Sequence, residues 1–365
     1  MSVEVLLCCG VGGAGKTTSA AALAVALAAS GRQVVVLTID PARRLADALG
    51  IDHLGNEPQA LDLPEVTAAG GRLDALMLDR KATWDALVRT HAGDADLAAR
   101  LLANPYYEAL STRLTGGHEY MATERLHQLA HDGRWDVVVV DTPPSQHAVD
   151  FFRAPARIRR ILDRNLLGAL LTPSQGLLGV ATRRAVDVVR RLAGPKVLDD
   201  LVHFFELVGS LAGGLRERSA AVQALLQAPT TRVLLVASAV SPREEDLLDF
   251  LGVVREDGLQ FGGYLLTRAA APLGLPAEAL VAAIPDGARD VPAEAWAAVR
   301  AALADAVHRR ARDSARHVAT AARLAAAGRA PVWTLPEVDG GVADLDGLRA
   351  LVPHLPPAPP RLPAP

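Results

Sequence analysis

Lysine is almost missing from this 365-residue chain, which has only Lys16, Lys81 and Lys196; arginine supplies the rest of its positive charge. With abundant alanine this is the signature of GC-rich coding, so most arginines need no functional reading. Aromatic residues make up 4% of the chain, so its core must be built from aliphatic side chains and alanine. Basic excess is absent: the formal net charge is -3, which argues against a general nucleic-acid binder. Cysteine occurs twice, as adjacent Cys8 and Cys9. Strand neighbours point to opposite faces, which excludes a disulfide between them. No His or Cys cluster has zinc-ligand spacing. Long apolar runs are also lacking. The stretch 20–29 is too short to span a bilayer, and 166–180 is broken by Thr172, Pro173, Ser174 and Gln175, so no stable membrane insertion is expected. The chain opens on an apolar strand without a basic leader, and a reducing, cytoplasmic setting is expected.

Half of the chain is hydrophobic and 22% is charged, the balance of a globular, core-forming sequence. Apolar runs at 3–9, 33–39, 74–78, 136–140, 232–239, 261–266 and 331–335 read as buried parallel strands. Helical patterns separate them, beginning with an Ala/Leu helix over 16–30 closed by Gly31. This alternation predicts an α/β fold with a mostly parallel sheet and helices on both faces. Two blocks, about 95–130 and 155–228, carry helical spacing without strands and are expected to lie over the sheet as helical insertions in a single domain, 1–350. Arg153, Arg157, Arg159 and Arg160 in the second block read as a solvated helix face. The proline-rich stretch 352–365 is expected to be an extended or disordered tail.

Residues 10–18, GVGGAGKTT, fit the phosphate-loop pattern with Gly10, Gly15, Lys16 and Thr17 at the required spacing. The segment sits between a buried strand and a helix. Glycines let successive amides of Gly10, Val11, Gly12, Gly13, Ala14 and Gly15 turn towards phosphate, and the helix dipole adds to their pull. Lys16 reaches the β- and γ-phosphates, Thr17 ligates Mg2+, and Thr18 completes the loop. Asp141 ends the apolar run 136–140, at the strand edge where such sheets bind ligands, and is a candidate to hold Mg2+ through water. Asp40 ends the second strand beside the loop, in reach of an attacking water. For Asp141 the structural alternative is a helix cap or solvated loop residue, and for Asp40 it is an N-cap of the helix around 42–49.

Three ordered segments resemble the ArsA/GET-type ATPases, a deviant-Walker P-loop family of the SIMIBI class of P-loop NTPases. The family writes its loop GKGGxGKT[ST], its first switch DPAHxLxDxF and its second DTAPTGHTLRxLxxP. Here they read GVGGAGKTT, DPARRLADALG and DTPPSQHAVDFFRAP. Asp40, Pro41, Ala42, Leu45 and Asp47 match the first switch; Asp141, Thr142, Pro144, His147 and Pro155 match the second. The late PVWTLPEVDG resembles the family's final strand and Pro-Glu. The resemblance implies Mg2+-dependent ATP hydrolysis that opens and closes a dimer. It makes Asp40 and Lys16 catalytic, with Asp40 orienting water, and Asp141 the start of the γ-phosphate sensor. It places adenine at Thr267, Arg268, Pro336 and Glu337, although the family usually has Asn where Thr267 stands. The helical layer would face a hydrophobic protein client, with LLGALLTPSQGLLGVA as a Leu-rich groove candidate; beyond Met1 only Met77 and Met121 could add methionine to it.

Further departures qualify the resemblance. The family's signature lysine, which reaches the partner's phosphates, is Val11 here. A homodimer would lack that charge, so a heterodimer with a lysine-bearing ArsA/GET-like paralogue is the expected alternative. A C-x-x-C pair is missing, so no zinc is expected at the interface. Cys8 and Cys9 lie in the first strand, where free Cys serves as core, which argues against an arsenite-efflux ATPase. Two other functions stay open: a nucleotide-binding regulatory or scaffold subunit with little turnover, and a metabolite kinase on the same fold.

Overall fold

The computed structural model describes residues 3–355 except 41, 93, 105–106, 108–116, 144, 164–212, 290, 339 and 343. Eight strands form one sheet in the order β3-β4-β2-β5-β1-β6-β7-β8. They are β1 (Glu4–Cys9), β2 (Gln33–Thr38), β3 (Gln59–Leu61), β4 (Arg72–Met77), β5 (Val137–Asp141), β6 (Thr231–Ser238), β7 (Gln260–Ala269) and β8 (Val332–Pro336). Every pairing is parallel except β3 with β4. The seven predicted strands are all present. Strand β3 was not foreseen: three residues give too little alternation to read, and it adds only an antiparallel edge.

The strands alternate between two cores. Val5, Leu7 and Cys9 of β1 face one, and Leu6 and Cys8 face the other. Val34 and Val36 of β2 join the second, Val35 and Leu37 the first. Because both faces are covered, each central strand reads as an unbroken apolar run rather than an alternating one. Helix α1 (Lys16–Ala29) lies in the second core and is buried nearly all round. Its alanines allow it to approach the sheet closely, and a helix apolar on every side is stable only in such a place. Around it pack α2 (Arg44–Leu49), α3 (Pro64–Ala68) and α12 (Leu345–Leu351), the last of the helices numbered here.

On the opposite side, α4 (Arg80–His91), α5 (Ala95–Leu102), α6 (Gly117–His131), α7 (Ser145–Asp163) and a helix over 213–227, α8, surround a third core. Trp84, Leu87, Tyr120, Met121, Ala154 and Leu215 belong to it. The described parts of both expected helical blocks pack around this core, 164–212 lying outside the described residues. Arg153 in α7 forks onto Asp257 at 2.8 and 3.1 Å, and Arg157 bonds Asp150 at 2.7 Å, so part of the arginine face expected to be solvated is ion-paired. The candidate client groove, LLGALLTPSQGLLGVA, lies outside the described residues.

The remaining helices are α9 (Glu244–Glu256), α10 (Ala277–Ala282) and the 36-residue α11 (Ala293–Gly328), which is buried only towards its C-terminal end. No described helix is long and apolar enough to cross a membrane. Within the proline-rich stretch, Val352–His354 forms a 3-10 turn and Leu355 is buried, so the chain stays folded onto α1 there; 356–365 lies outside the described residues.

Candidate functional site

Parallel strands bring the C-terminal ends of β1, β2 and β5 side by side. Cys8 pairs with Asp141, and Asp141 with Thr38. The segments following these strands are the phosphate loop, Asp40 and Thr142. Residues far apart in the chain thus meet where the sheet edge opens, the location expected for a ligand in an open α/β sheet.

The loop is held by its own carbonyls. Lys16 Nζ donates to Val11 O at 3.2 Å, and the Ala14 amide donates to the same oxygen at 3.3 Å. Thr267 Oγ1 donates to Ala14 O at 2.7 Å, and Arg268 donates to Gly13 O at 3.3 Å. The Ala14 amide, expected from the sequence to turn towards phosphate, is thus engaged within the loop, while Thr267 and Arg268 anchor the carbonyls of Ala14 and Gly13. Gly13 and Gly15 have φ of 76° and 87°, the left-handed region that glycine enters without strain. At Gly10 the constraint is space, since a Cβ there would stand 2.1 Å from the Val236 carbonyl oxygen.

Two adjoining clefts, about 480 and 460 Å3, share Gly13, Gly15, Thr18 and Val342. The one near β2 is lined by Lys16, Thr17, Asp40, Arg44, Asp47 and Thr142. The other runs to the ends of β7 and β8, past Ser19, Thr267, Arg268, Pro336 and Glu337. Of the residues predicted from sequence, Gly12, Gly13, Gly15, Lys16, Thr17, Thr18, Asp40, Thr267, Arg268, Pro336 and Glu337 line this double cleft. Gly10, Val11, Ala14 and Asp141 stand behind its surface. Val11 is half-buried and packs against the second core, and Ala14 is buried.

Lys16 is only 9% exposed, and burial lowers its pKa. Asp141 is 1% exposed. Burial raises its pKa to about 6, against the opposing pull of the Thr17 and Thr38 hydroxyls and of Lys16. Its Oδ2 accepts from Thr38 Oγ1 at 3.0 Å, while Oδ1 is buried without a partner in hydrogen-bond geometry. An acidic oxygen left unsatisfied beside a threonine hydroxyl is a donor set that suits a hard divalent cation reached through water. Thr17 and Asp141 therefore fit Mg2+. Among the described residues no group of three or more His, Cys, Asp or Glu side chains gathers as a metal cluster. The free thiols of Cys8 and Cys9 are buried; burial pushes both pKa values up, that of Cys9 to about 12, so neither is a ready nucleophile.

Asp40 is held from several directions. Its amide donates to Thr38 Oγ1 at 3.3 Å, and its Oδ1 accepts from the Ala42 amide at 3.0 Å. Arg44 Nη1 lies 3.4 Å from Oδ2. Just before it, the Ile39 amide donates to Asp141 O at 3.1 Å, and His118 Nε2 lies 3.3 Å from Ile39 O. Thr142 Oγ1 donates to Cys8 O at 2.8 Å, pinning the start of the segment after β5. Thr38, Arg44 and His118 were not read as site residues from the sequence. Arg44 sits inside the quoted DPARRLADALG segment and was within reach of a spacing argument. Thr38 became legible only through strand register, and His118 only through packing of α6 on the strand end.

Residues 3–207 match the anion-transporting ATPase family. A protein of Malassezia globosa named ATPase GET3 is 26% identical over 198 residues, 53% of this chain and 56% of the relative. The Aspergillus terreus ATPase get3 is 27% identical over 198 residues, 54% of each. Protein Rv2184c of Mycobacterium tuberculosis is 34% identical over 162 residues, 42% of this chain and 38% of the relative. The chain thus spans about half the length of the curated GET3 relatives it matches.

Proposed function

The chain belongs to the anion-transporting ATPase family, and from that premise we propose that it is a Mg2+-dependent ATP hydrolase whose cycle switches the conformation of a dimer. The convergence of Lys16, Thr17, Asp40 and Asp141 on the ends of three adjacent strands is the observation that carries this reading. The loop amides and Lys16 would hold the phosphates and stabilise charge as it develops on the γ-phosphoryl oxygens. Lys16 starts buried, so phosphate would replace the Val11 carbonyl as its partner. Asp40, fixed through its backbone and through Ala42, would orient the attacking water. Thr17 and Asp141 would hold Mg2+, which when bound neutralises charge on the phosphates. Thr142, anchored to Cys8, would start the segment that senses whether the γ-phosphate is present.

Val11 supports a second element of the proposal. Its side chain lies against the core, and its carbonyl is already engaged by Lys16. Residue 11 therefore supplies no cation across an interface. Full turnover would then come from pairing with a lysine-bearing paralogue, and this chain alone would act as a slow ATPase or a nucleotide-responsive subunit. The client is proposed to be a hydrophobic protein meeting the helical layer.

The deciding experiment is steady-state Mg2+-dependent ATP hydrolysis by the chain and by Asp40→Asn, with nucleotide binding measured for both. Turnover in the parent that falls at least a hundredfold in the variant, while binding persists, is the expected result. Equal turnover in both would remove Asp40 from the mechanism. Binding without turnover in either would favour the regulatory-subunit reading.

A further inference from the structure

The part of the double cleft near β2, about 460 Å3, has four charged side chains on its wall: Lys16, Asp40, Arg44 and Asp47. Lys16 is buried and donates to Val11 O at 3.2 Å. Arg44 differs. Its side chain is 69% exposed, and its Nη1 lies 3.4 Å from Asp40 Oδ2. An ion pair this open to solvent contributes little to stability, so the guanidinium can leave it at small cost. Its chain neighbour Arg43 donates to the Asp52 carbonyl and lines a separate, smaller cavity with His53 and Met77.

A run of short contacts ties Arg44 to the end of the cleft where Thr17 and Asp141 fit Mg2+. The Asp40 amide donates to Thr38 Oγ1 at 3.3 Å, and that hydroxyl donates to Asp141 Oδ2 at 3.0 Å. Mg2+ bridges the β- and γ-phosphates of a nucleoside triphosphate, so the terminal phosphate belongs at this end, beside Asp40. Both carboxylate oxygens of Asp40 are engaged, Oδ1 by the Ala42 amide at 3.0 Å and Oδ2 by Arg44. A γ-phosphate carries more charge than a carboxylate and offers three oxygens, onto which a guanidinium forks. It is the stronger partner for Arg44. A diphosphate brings no phosphate to this position.

We propose that Arg44 reads the terminal phosphate: it leaves Asp40 Oδ2 for the γ-phosphate of a bound nucleoside triphosphate, and the oxygen it gives up becomes free to hold water. With a diphosphate bound, the Arg44–Asp40 pair persists. The inference rests on the reading of this cleft as an ATP site and adds to it a residue that tells triphosphate from diphosphate.

The test is calorimetric titration of the purified chain with MgADP and with the Mg2+ complex of β,γ-imido-ATP, which resists hydrolysis. It is repeated for Arg44→Gln, Arg44→Lys, Arg43→Gln and Asp40→Asn, and for Arg44→Gln combined with Asp40→Asn, with unfolding temperatures checked. Arg44→Gln should weaken the triphosphate about tenfold and the diphosphate by less than about twofold, the effect of one lost charge-assisted hydrogen bond. Arg44→Lys, a point charge without the fork, should recover part of the loss. Arg43→Gln removes the same charge one residue away and should leave the ratio of the two affinities unchanged. Asp40→Asn should raise that ratio about threefold more in the parent than in Arg44→Gln, because only the parent has an exposed pair to give up. An unchanged ratio in Arg44→Gln, or an equal change in Arg43→Gln, would overturn the inference and leave the nucleotide site standing. An equal response to Asp40→Asn in both backgrounds would overturn the exchange of partners. Binding of neither nucleotide by the parent would overturn the site itself.

Discussion

Thr38 Oγ1 donates to Asp141 Oδ2 at 3.0 Å, and the same oxygen accepts from the Asp40 amide at 3.3 Å. One hydroxyl thus joins the two acidic residues of the site, Asp40 and Asp141, which are distant in the chain but follow or end neighbouring strands of the sheet. Thr38→Val keeps the β-branched shape and deletes both bonds. It should lower stability by about 1–3 kcal/mol, since a buried carboxylate oxygen and an amide both lose their partner. It should also weaken the Mg2+ dependence of nucleotide binding. Denaturant unfolding beside MgATP titration checks both effects. Unchanged Mg2+ dependence would mean that Thr38 serves the fold alone.

His118 stands in the first turn of α6, with Nε2 at 3.3 Å from the carbonyl of Ile39, the residue before Asp40. It is a polar contact between the helical layer and the segment bearing the proposed water-orienting acid, beside the apolar packing of Ile39 in the first core. His118→Phe fills the space without a ring nitrogen, and His118→Gln retains a polar head. The Phe variant should lower kcat severalfold with KM for ATP nearly unchanged, and the Gln variant should recover part of the loss. A fall in KM and kcat together, or no recovery with Gln, would assign His118 to general stability.

Arg218 of α8 makes three bonds of 2.8–3.0 Å to the carboxylate of Glu124 in α6, which is 1% exposed and also accepts from Gln128. This pair fastens the returning end of the second helical block to the helix that leads into β5. Arg218→Met leaves a buried carboxylate without its counter-ion and should cost about 3–5 kcal/mol in urea unfolding. Adding Glu124→Leu should recover most of that loss, because the desolvated charge is then gone as well. A double variant no better than the single one would contradict this account.

His127 is buried, its Nδ1 has no hydrogen-bond partner, and its ring stacks on His131 at 3.9 Å. Burial, with the nearby charge of Arg218, lowers its pKa from the ordinary 6.5 to about 4. The unfolded chain therefore binds this proton at a higher pH than the folded one. Stability from the neutral ring is complete above about pH 6.5 and is lost as pH falls towards about 4. His127→Gln should remove roughly 1–2 kcal/mol of the acid-induced loss, solvent at the ring edge being allowed for. Unfolding temperatures at pH 7.5 and 4.5 report it. Equal acid sensitivity in parent and variant would exclude His127 as the group responsible.

The sequence by itself determined the strand–loop–helix that carries GVGGAGKTT, the seven apolar strands, and the placing of Asp40 and Asp141 at strand ends. Each of these is encoded locally, by glycines at fixed spacing and by apolar runs long enough to be read. It also marked Thr267, Arg268, Pro336 and Glu337, but through resemblance and not through any pattern of their own. The tertiary structure decided which side chains share a hydrogen bond. Thr38 meets Asp141 because β2 and β5 are neighbours in register, and sheet order is not written in either strand. Thr267 at the cleft wall gives its hydroxyl proton to Ala14 O, a partner 253 residues away that only the tertiary packing brings near. Val11 lies against the core and His118 against Ile39 for the same reason: partners distant in the chain are chosen by packing, whose geometry no local spacing records.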